Sequence, residues 1–514
     1  MMKILLLPLL SMVLSACTSL QPAKSLTQVV KTDKGLVSGS GEEVRSFKGI
    51  PYAKGPVGNL RWKEPQPAEA WVGVRDASQF GPDCIQPKEY PELRGSGMSE
   101  DCLSVNVWTP AKTNHDELPV LVWIYGGGFN YGSGSHPTYD GEALAKKGIV
   151  VVTLNYRMGL LGFMAHPDLT AESPTRSSGN YGLMDQIAAL KWVNQNINAF
   201  GGNSNKVTIA GQSAGAMTIN AMLTTEKSKG LFNQTILQSV GAMRPMVSLR
   251  QAEEFGLKAG PNIKNLREIN ALDLPALLKK IDPNTRDATA SRTLGVIVDG
   301  HVIQRSDREA YQSGNFQKLP MIVGFMANEG GGLARSNPVK TVPEFKSYIA
   351  SNFKSREQMA NSVYPVTGDD SVKKALADVF SDTWYLYGTR ELVRFNSKFQ
   401  PHTYQYYFTQ KRNASTTIPI HGDELQYPFN NLNALHRSRI RPSNESDAAT
   451  ALAMADAWTR FVKTGNPNGG QLPQWPQYDS TTDNYLEFGQ QIRSGKFGPR
   501  PSLDMIHTYY GQSN

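Results

Sequence analysis

Cysteine is scarce, with three among 514 residues. At most one pair can close within the chain, which excludes a small fold stapled by a disulfide framework. Lysine and arginine outnumber aspartate and glutamate by 53 to 45, for a formal net charge of +8, yet no basic run reaches five residues. That charge favours anionic surfaces in general and marks no specific nucleic-acid site. The eight histidines show no zinc-type ligand cluster, so no metal is implied, and no motif calls for an organic cofactor. Long apolar runs are missing except near the start, where Ile4 to Leu14 is too short to span a bilayer. Internal repeats, low-complexity blocks and a clear linker after residue 40 are absent too. With 39% hydrophobic and 19% charged residues, the remaining profile is that of a soluble globular protein with a large core.

The first segment reads as an address. Lys3, the apolar run and Ser15-Ala16-Cys17 form a signal peptide pattern. Leu14-Ser15-Ala16-Cys17 also resembles the bacterial lipoprotein signal, which implies lipidation of Cys17 as the first mature residue. Thr18 resembles the proteins sent to the outer membrane of Gram-negative bacteria. Ordinary cleavage and a free secreted protein is the alternative. The expected division is a signal peptide over 1–16, a lipid-anchor tether over 17–34 and a single domain over 35–514. Cys84 and Cys102 then remain as an even pair in an exported chain, which suggests one disulfide rather than two reduced thiols.

The pivotal stretch is Lys206 to Ala216. Lys206 to Ala210 alternates and is partly β-branched, as a strand requires. The apolar run Met217 to Leu223 can continue as a helix. Gly211-Gln212-Ser213-Ala214-Gly215 therefore falls at a tight strand-to-helix turn, where a serine hydroxyl is exposed and the following N–H aims at the same point. A side chain at either glycine would collide where strand and helix nearly touch. The bare pattern is weak alone, because serines in glycine turns are common. Leu118 to Tyr125 reads as a buried strand ending in Gly126-Gly127-Gly128. Bare N–H groups there suit a phosphate or a developing oxyanion; no lysine-serine pair follows to make a nucleotide loop.

Further apolar strands are expected at Val105–Trp108, Gly148–Tyr156, Phe232–Leu237, Leu319–Phe325, Thr403–Phe408 and Tyr485–Phe488. Leu183, Ile187, Leu190, Val193 and Ile197 form the stripe of a helix over 182–197. Another helix covers 447–463. Ser248 to Asp287 is less periodic and mostly polar-helical. This succession predicts an α/β fold with a large, mostly parallel central sheet flanked by helices.

Together these motifs carry a resemblance from about residue 28 to the C-terminus. They stand in order: Phe47 to Ala53, Arg61-Trp62, Glu100-Asp101-Cys102-Leu103, Tyr125 to Phe129, Asn155-Tyr156-Arg157, Gly179 to Gln186, Gly211 to Ala216, Glu329-Gly330 and His421-Gly422. The chain resembles the type-B carboxylesterases, the family of cholinesterases and bacterial esterases with the α/β-hydrolase fold. The resemblance implies Ser213 as nucleophile, Glu329 as acid and His421 as base. It implies an oxyanion hole at Gly127, Gly128 and Ala214. Read from the residues alone, Asp299, Asp423 and Glu424 rival Glu329, and His421 is one of eight histidines. The resemblance also implies internal ion pairs Arg61 with Glu100 and Arg157 with Asp185, a Cys84–Cys102 disulfide, and a buried Ser239 bonded to Glu329. Gln212 stands where many members have glutamate, which removes a negative charge beside the nucleophile. The short cysteine loop lacks tryptophan and two further cysteine pairs are missing, which argues against an acetylcholinesterase. The expected activity is hydrolysis of carboxylic esters of moderate size. A surface adhesion protein with a remnant triad, or hydrolysis of amides, lactones or thioesters, is the alternative.

Overall fold

The computed structural model describes residues 28–88, 93–282, 287–412, 417–434 and 443–511. Among the described residues ten strands form one sheet, the central ones from its apolar runs: β1 (Arg45–Pro51), β2 (Ser104–Thr109), β3 (Leu118–Ile124), β4 (Val150–Leu154), β5 (Gly202–Gln212), β6 (Gln234–Gln238), β7 (Met321–Met326), β8 (Thr403–Phe408), β9 (Asn484–Phe488) and β10 (Arg493–Lys496). Their order across the sheet is β10-β9-β8-β7-β6-β5-β3-β4-β2-β1. From β4 to β9 every pairing is parallel, while β1, β2 and β10 join antiparallel at the edges. Central strands are covered on both faces, so they need continuous apolar sequence rather than alternation. All five residues of Val150–Leu154 are accordingly buried.

Three helices clad the strands that matter for the site. α1 (Tyr181–Asn196) and α2 (Ala214–Leu223) pack against β5, and α3 (Glu445–Thr464) packs against β3 and β5. The stripe expected on α1 faces inward, with Leu183, Ile187, Leu190, Val193 and Ile197 all buried. The polar middle folds as short helices, Leu249–Gly256, Ile263–Glu268 and Leu274–Ile281. Elements without a marked signal in the sequence include the exposed edge strand β10 and helices at Tyr387–Ser397 and Pro501–Gly511.

One expected boundary moves. The tether assigned to 17–34 cannot extend to Lys34, because Val29–Lys31 pairs with Leu36–Ser38 in a small separate sheet. Val30 is buried there and the Asp33 N–H donates to the Asn196 side chain at 2.8 Å, so three paired positions and one apolar anchor outweigh the polar composition. Cys17 and the rest of the expected signal lie outside the described residues.

Candidate active site

Parallel strands side by side deliver their following loops to one edge of the sheet, the usual place for ligands in open α/β sheets. β3 and β5 are such neighbours, paired through Ile124 and Gly211, so the triple glycine and the Ser213 turn emerge together. β7 and β8 are also neighbours, and the loops beyond them meet again at a parallel bridge between Asn328 and Ile420. Glu329 and His421 are the next residues on each side of that bridge.

At the Ser213 turn the backbone switches from strand to helix within one residue. Ser213 holds φ 53° and ψ −123°, a conformation side chains rarely adopt. The two flanking glycines are steric necessities. A Cβ at Gly211 would stand 2.7 Å from the Ile124 carbonyl oxygen, and one at Gly215 would land on that same oxygen. Ala214 opens α2, so its N–H has no intrahelical acceptor. The N–H groups of Gly127 and Gly128 likewise donate to no described acceptor. Three bare amide donors thus border the Ser213 turn, the kind of group an oxyanion site needs.

Glu329 is fully buried and its oxygens are shared out among donors. Oε1 accepts from the Met326 N–H at 2.7 Å and the Ser239 hydroxyl at 2.6 Å; Oε2 lies 2.6 Å from His421 Nδ1. A carboxylate whose oxygens act only as acceptors takes a hydrogen bond from Nδ1–H of the imidazole, which keeps the proton on Nδ1 and leaves the Nε2 lone pair free to accept. Gln212 fills that position here, its amide nitrogen 3.2 Å from Nε2. The Ser213 hydroxyl makes no hydrogen bond to a described residue. The resemblance implies His421 as the base for Ser213 and marks Gln212 only by the charge it lacks. The structure gives Gln212 a contact of its own, at the Nε2 edge of the His421 ring.

Of the rival acids, Asp299 accepts from the N–H groups of His301, Val302 and Ile303 and from Ser177, away from the imidazole. Asp423 accepts from the Ile420 N–H at 2.8 Å and shapes the loop. Glu424 is more unusual. It is fully buried, takes one bond at 3.1 Å from Gln238, and leaves Oε2 unpartnered among the described residues. Burial, and then the Glu329 charge, push its carboxyl up to about 8. A carboxyl with a folded pKa above its ordinary value of 4.5 binds its proton more tightly when folded. Stability is therefore fullest below that value and falls as pH rises toward 8. Glu424→Gln is expected to raise the melting temperature by roughly a few degrees near pH 8.5 and not near pH 5. Thermal unfolding at both pH values checks it, and an equal gain at each would discard this account.

The other pairings implied by the family are all present. Arg61 grips Glu100 through two bonds of 2.7 and 2.6 Å, and also donates to the Ile269 carbonyl at 2.7 Å. Arg157 and Asp185 form a buried forked pair at 2.8 and 2.7 Å. Cys84 and Cys102 are joined by a disulfide, their Cα atoms 5.1 Å apart. Residues with no local motif complete the surroundings. The Tyr385 ring packs 4.4 Å from the His421 ring, and Trp384, Arg244 and Arg292 line the space beside the glycine loop. That stretch carries no apolar period, so nothing local marks it.

This sheet order, with its loop cluster at one edge, is the α/β-hydrolase fold. The chain matches the family model described as the carboxylesterase family over residues 26–502. It is 42% identical over 477 residues to the fumonisin B1 esterase of Sphingopyxis macrogoltabida, covering 92% of this chain and 88% of that protein. It is 34% identical to the para-nitrobenzyl esterase of Bacillus subtilis (strain 168), covering 90% of this chain and 95% of that one. Among solved structures, a thermophilic PNB esterase superposes with a TM-score of 0.83 at 30% identity, over 93% of this chain and 99% of its own. The chain belongs to the carboxylesterase family, and the enzyme is a carboxylic ester hydrolase.

Proposed function

We propose that Ser213, His421 and Glu329 carry the hydrolysis through an acyl-enzyme, with Gly127, Gly128 and Ala214 as the oxyanion donors. The observation that carries this is the 2.6 Å bond between His421 Nδ1 and buried Glu329 beside the strained Ser213 turn. That bond fixes the tautomer in which Nε2 is a base. As the ester enters, Nε2 passes from the Gln212 amide to the Ser213 hydroxyl, takes its proton, and later gives it to the leaving alcohol. The carbonyl oxygen gathers charge where the three N–H groups already point. Water, activated by the same imidazole, releases the acid from Ser213. Glu329 stays ionised and stabilises the imidazolium.

A fluorophosphonate probe tests the assignment. Covalent labelling that disappears in Ser213→Ala supports it; a folded wild-type protein that takes no label favours a binding role. Fumonisin B1 and p-nitrobenzyl esters, after which two relatives are named, are suitable first substrates.

The N-terminal pattern supports export and a lipid anchor on Cys17 facing the outer membrane. A disulfide at Cys84–Cys102 suits an oxidising compartment. Mass analysis of the mature N-terminus is expected to find a diacylglyceryl cysteine at Cys17; any other, unmodified first residue overturns the anchor.

A further inference from the structure

The chain beyond the oxyanion glycines turns back on itself. The Gly127 carbonyl accepts from the Asn130 and Tyr131 N–H groups at 3.0 and 3.3 Å. Gly132 then returns to the end of β3: a Cβ there would stand 2.8 Å from the Gly126 carbonyl oxygen and 2.5 Å from the Tyr125 ring. Gly127 holds φ 118° and presses on the Tyr131 carbonyl, where a Cβ has no room. A turn closed this tightly moves as one piece, so the place of Gly132 sets the direction of the Gly127 and Gly128 amides.

Gly132 itself lies outside any strand or helix. One side chain takes both of its backbone groups. Gln86 Oε1 accepts from the Gly132 N–H at 2.9 Å, and Gln86 Nε2 donates to the Gly132 carbonyl at 3.1 Å. The same Nε2 donates to the Cys84 carbonyl at 3.0 Å. A carboxamide offers a donor and an acceptor side by side, as a peptide unit does, so the pair fixes orientation as well as distance. Gln86 is 2% exposed, which shields these bonds from solvent. Its backbone is seated in turn: Cys84, two residues earlier, is bridged to Cys102, two residues before β2 begins at Ser104.

We infer that Gln86 is a positioning residue for the oxyanion donors: its carboxamide holds the glycine turn so that the Gly127 and Gly128 N–H groups meet the developing charge. This deepens the acyl-enzyme reading and rests on it. Such a residue acts on the tetrahedral state and leaves binding of the intact carbonyl alone. Two ketones separate those effects. With 1,1,1-trifluorodecan-2-one, Ser213 Oγ adds to the carbonyl carbon, the hydroxyl proton passes to His421 and the ketone oxygen becomes the oxyanion. Decan-2-one, lacking the activating fluorines, serves as the ground-state ligand.

The wild type is expected to bind the trifluoro ketone at least about a hundredfold more tightly than decan-2-one. Gln86→Met keeps the bulk and removes all three bonds. It should cut that preference by roughly tenfold or more, less than the loss of a whole oxyanion donor, with decan-2-one changed by no more than about twofold. Gln86→Glu keeps the acceptor for the Gly132 N–H and should fall in between. Turnover per active site, counted by phosphonate titration, should drop in step with the preference. An inhibition constant does not depend on the folded fraction, so a partly folded variant still reports it. Equal weakening of both ketones, an unchanged preference in Gln86→Met, or failure of both variants to fold overturns the positioning role, while labelling and ketone preference in the wild type keep the acyl-enzyme reading. A wild type that binds the two ketones alike and takes no phosphonate label overturns that reading as well.

Discussion

Replacing Ser213 by alanine is expected to lower kcat by about four orders of magnitude or more. The reasons are chemical and local. Alanine removes the only atom that can form the acyl-enzyme, while the bare amides of Gly127, Gly128 and Ala214 survive. Water attacking a carbonyl held in that cradle accounts for the residual rate. Folding should be spared, since the Ser213 hydroxyl bonds to no described residue and the unusual φ of 53° is held by the backbone bonds around it. Its N–H reaches the Gln238 carbonyl at 2.9 Å, and its own carbonyl accepts from Met217 at 2.9 Å. Combining Ser213→Ala with His421→Ala should cost little more than either alone, because the residues act as a unit. Steady-state kinetics on a chromogenic ester, with unfolding curves as control, decide the matter. A variant that keeps ordinary turnover would remove Ser213 from the mechanism.

How far the sequence reveals this site varies from residue to residue. The Ser213 turn is local: strand, glycines, serine and helix lie within some twenty positions, and each has a steric reason visible in the letters. β3, β4 and β7 are equally legible, because strands buried on both faces must be apolar throughout. Glu329 is different. Asp299, Asp423 and Glu424 look as suitable locally, and only the family pattern favoured one of them. What separates them in the fold is the adjacency of β7 and β8, which carries Glu329 to a histidine 92 positions away. Glu424 sits three residues past that histidine, yet it turns into the core toward Gln238. Arg244 and Arg292 are less legible still. They come from separate loops between β6 and β7 and are joined through Trp384, which follows β7. The edge strand β10 escaped notice for the opposite reason: an exposed strand needs no apolar run, and its Arg493–Lys496 sequence is polar. Contacts between distant loops follow from strand order, which periodicity does not encode.

The largest effect on stability is expected at Arg157, which follows β4 and reaches α1. Its guanidinium holds Asp185 by two bonds, at 2.8 and 2.7 Å, and its third nitrogen donates to the Lys63 carbonyl at 2.8 Å. Side-chain exposure is 3% for Arg157 and 0% for Asp185, so water can replace neither partner. Burial alone would make the guanidinium easier to deprotonate, but the Asp185 charge more than offsets this and raises it. Arg157→Met keeps the bulk and leaves Asp185 with the Arg157-position N–H, at 3.1 Å, as its remaining donor from that residue. Breaking a buried pair this way costs about 3–5 kcal/mol, mostly for the stranded charge rather than for the lost attraction. The distinction is measurable. If the stranded carboxylate dominates, adding Asp185→Leu to Arg157→Met should recover much of the stability, since an apolar pair of similar volume is often neutral. Equilibrium denaturation of the wild type, both single variants and the double variant supplies the cycle. A double variant as unstable as the sum of the singles would mean that each side chain acts independently, and that the two bonds between β4 and α1 are not what secures this corner of the sheet.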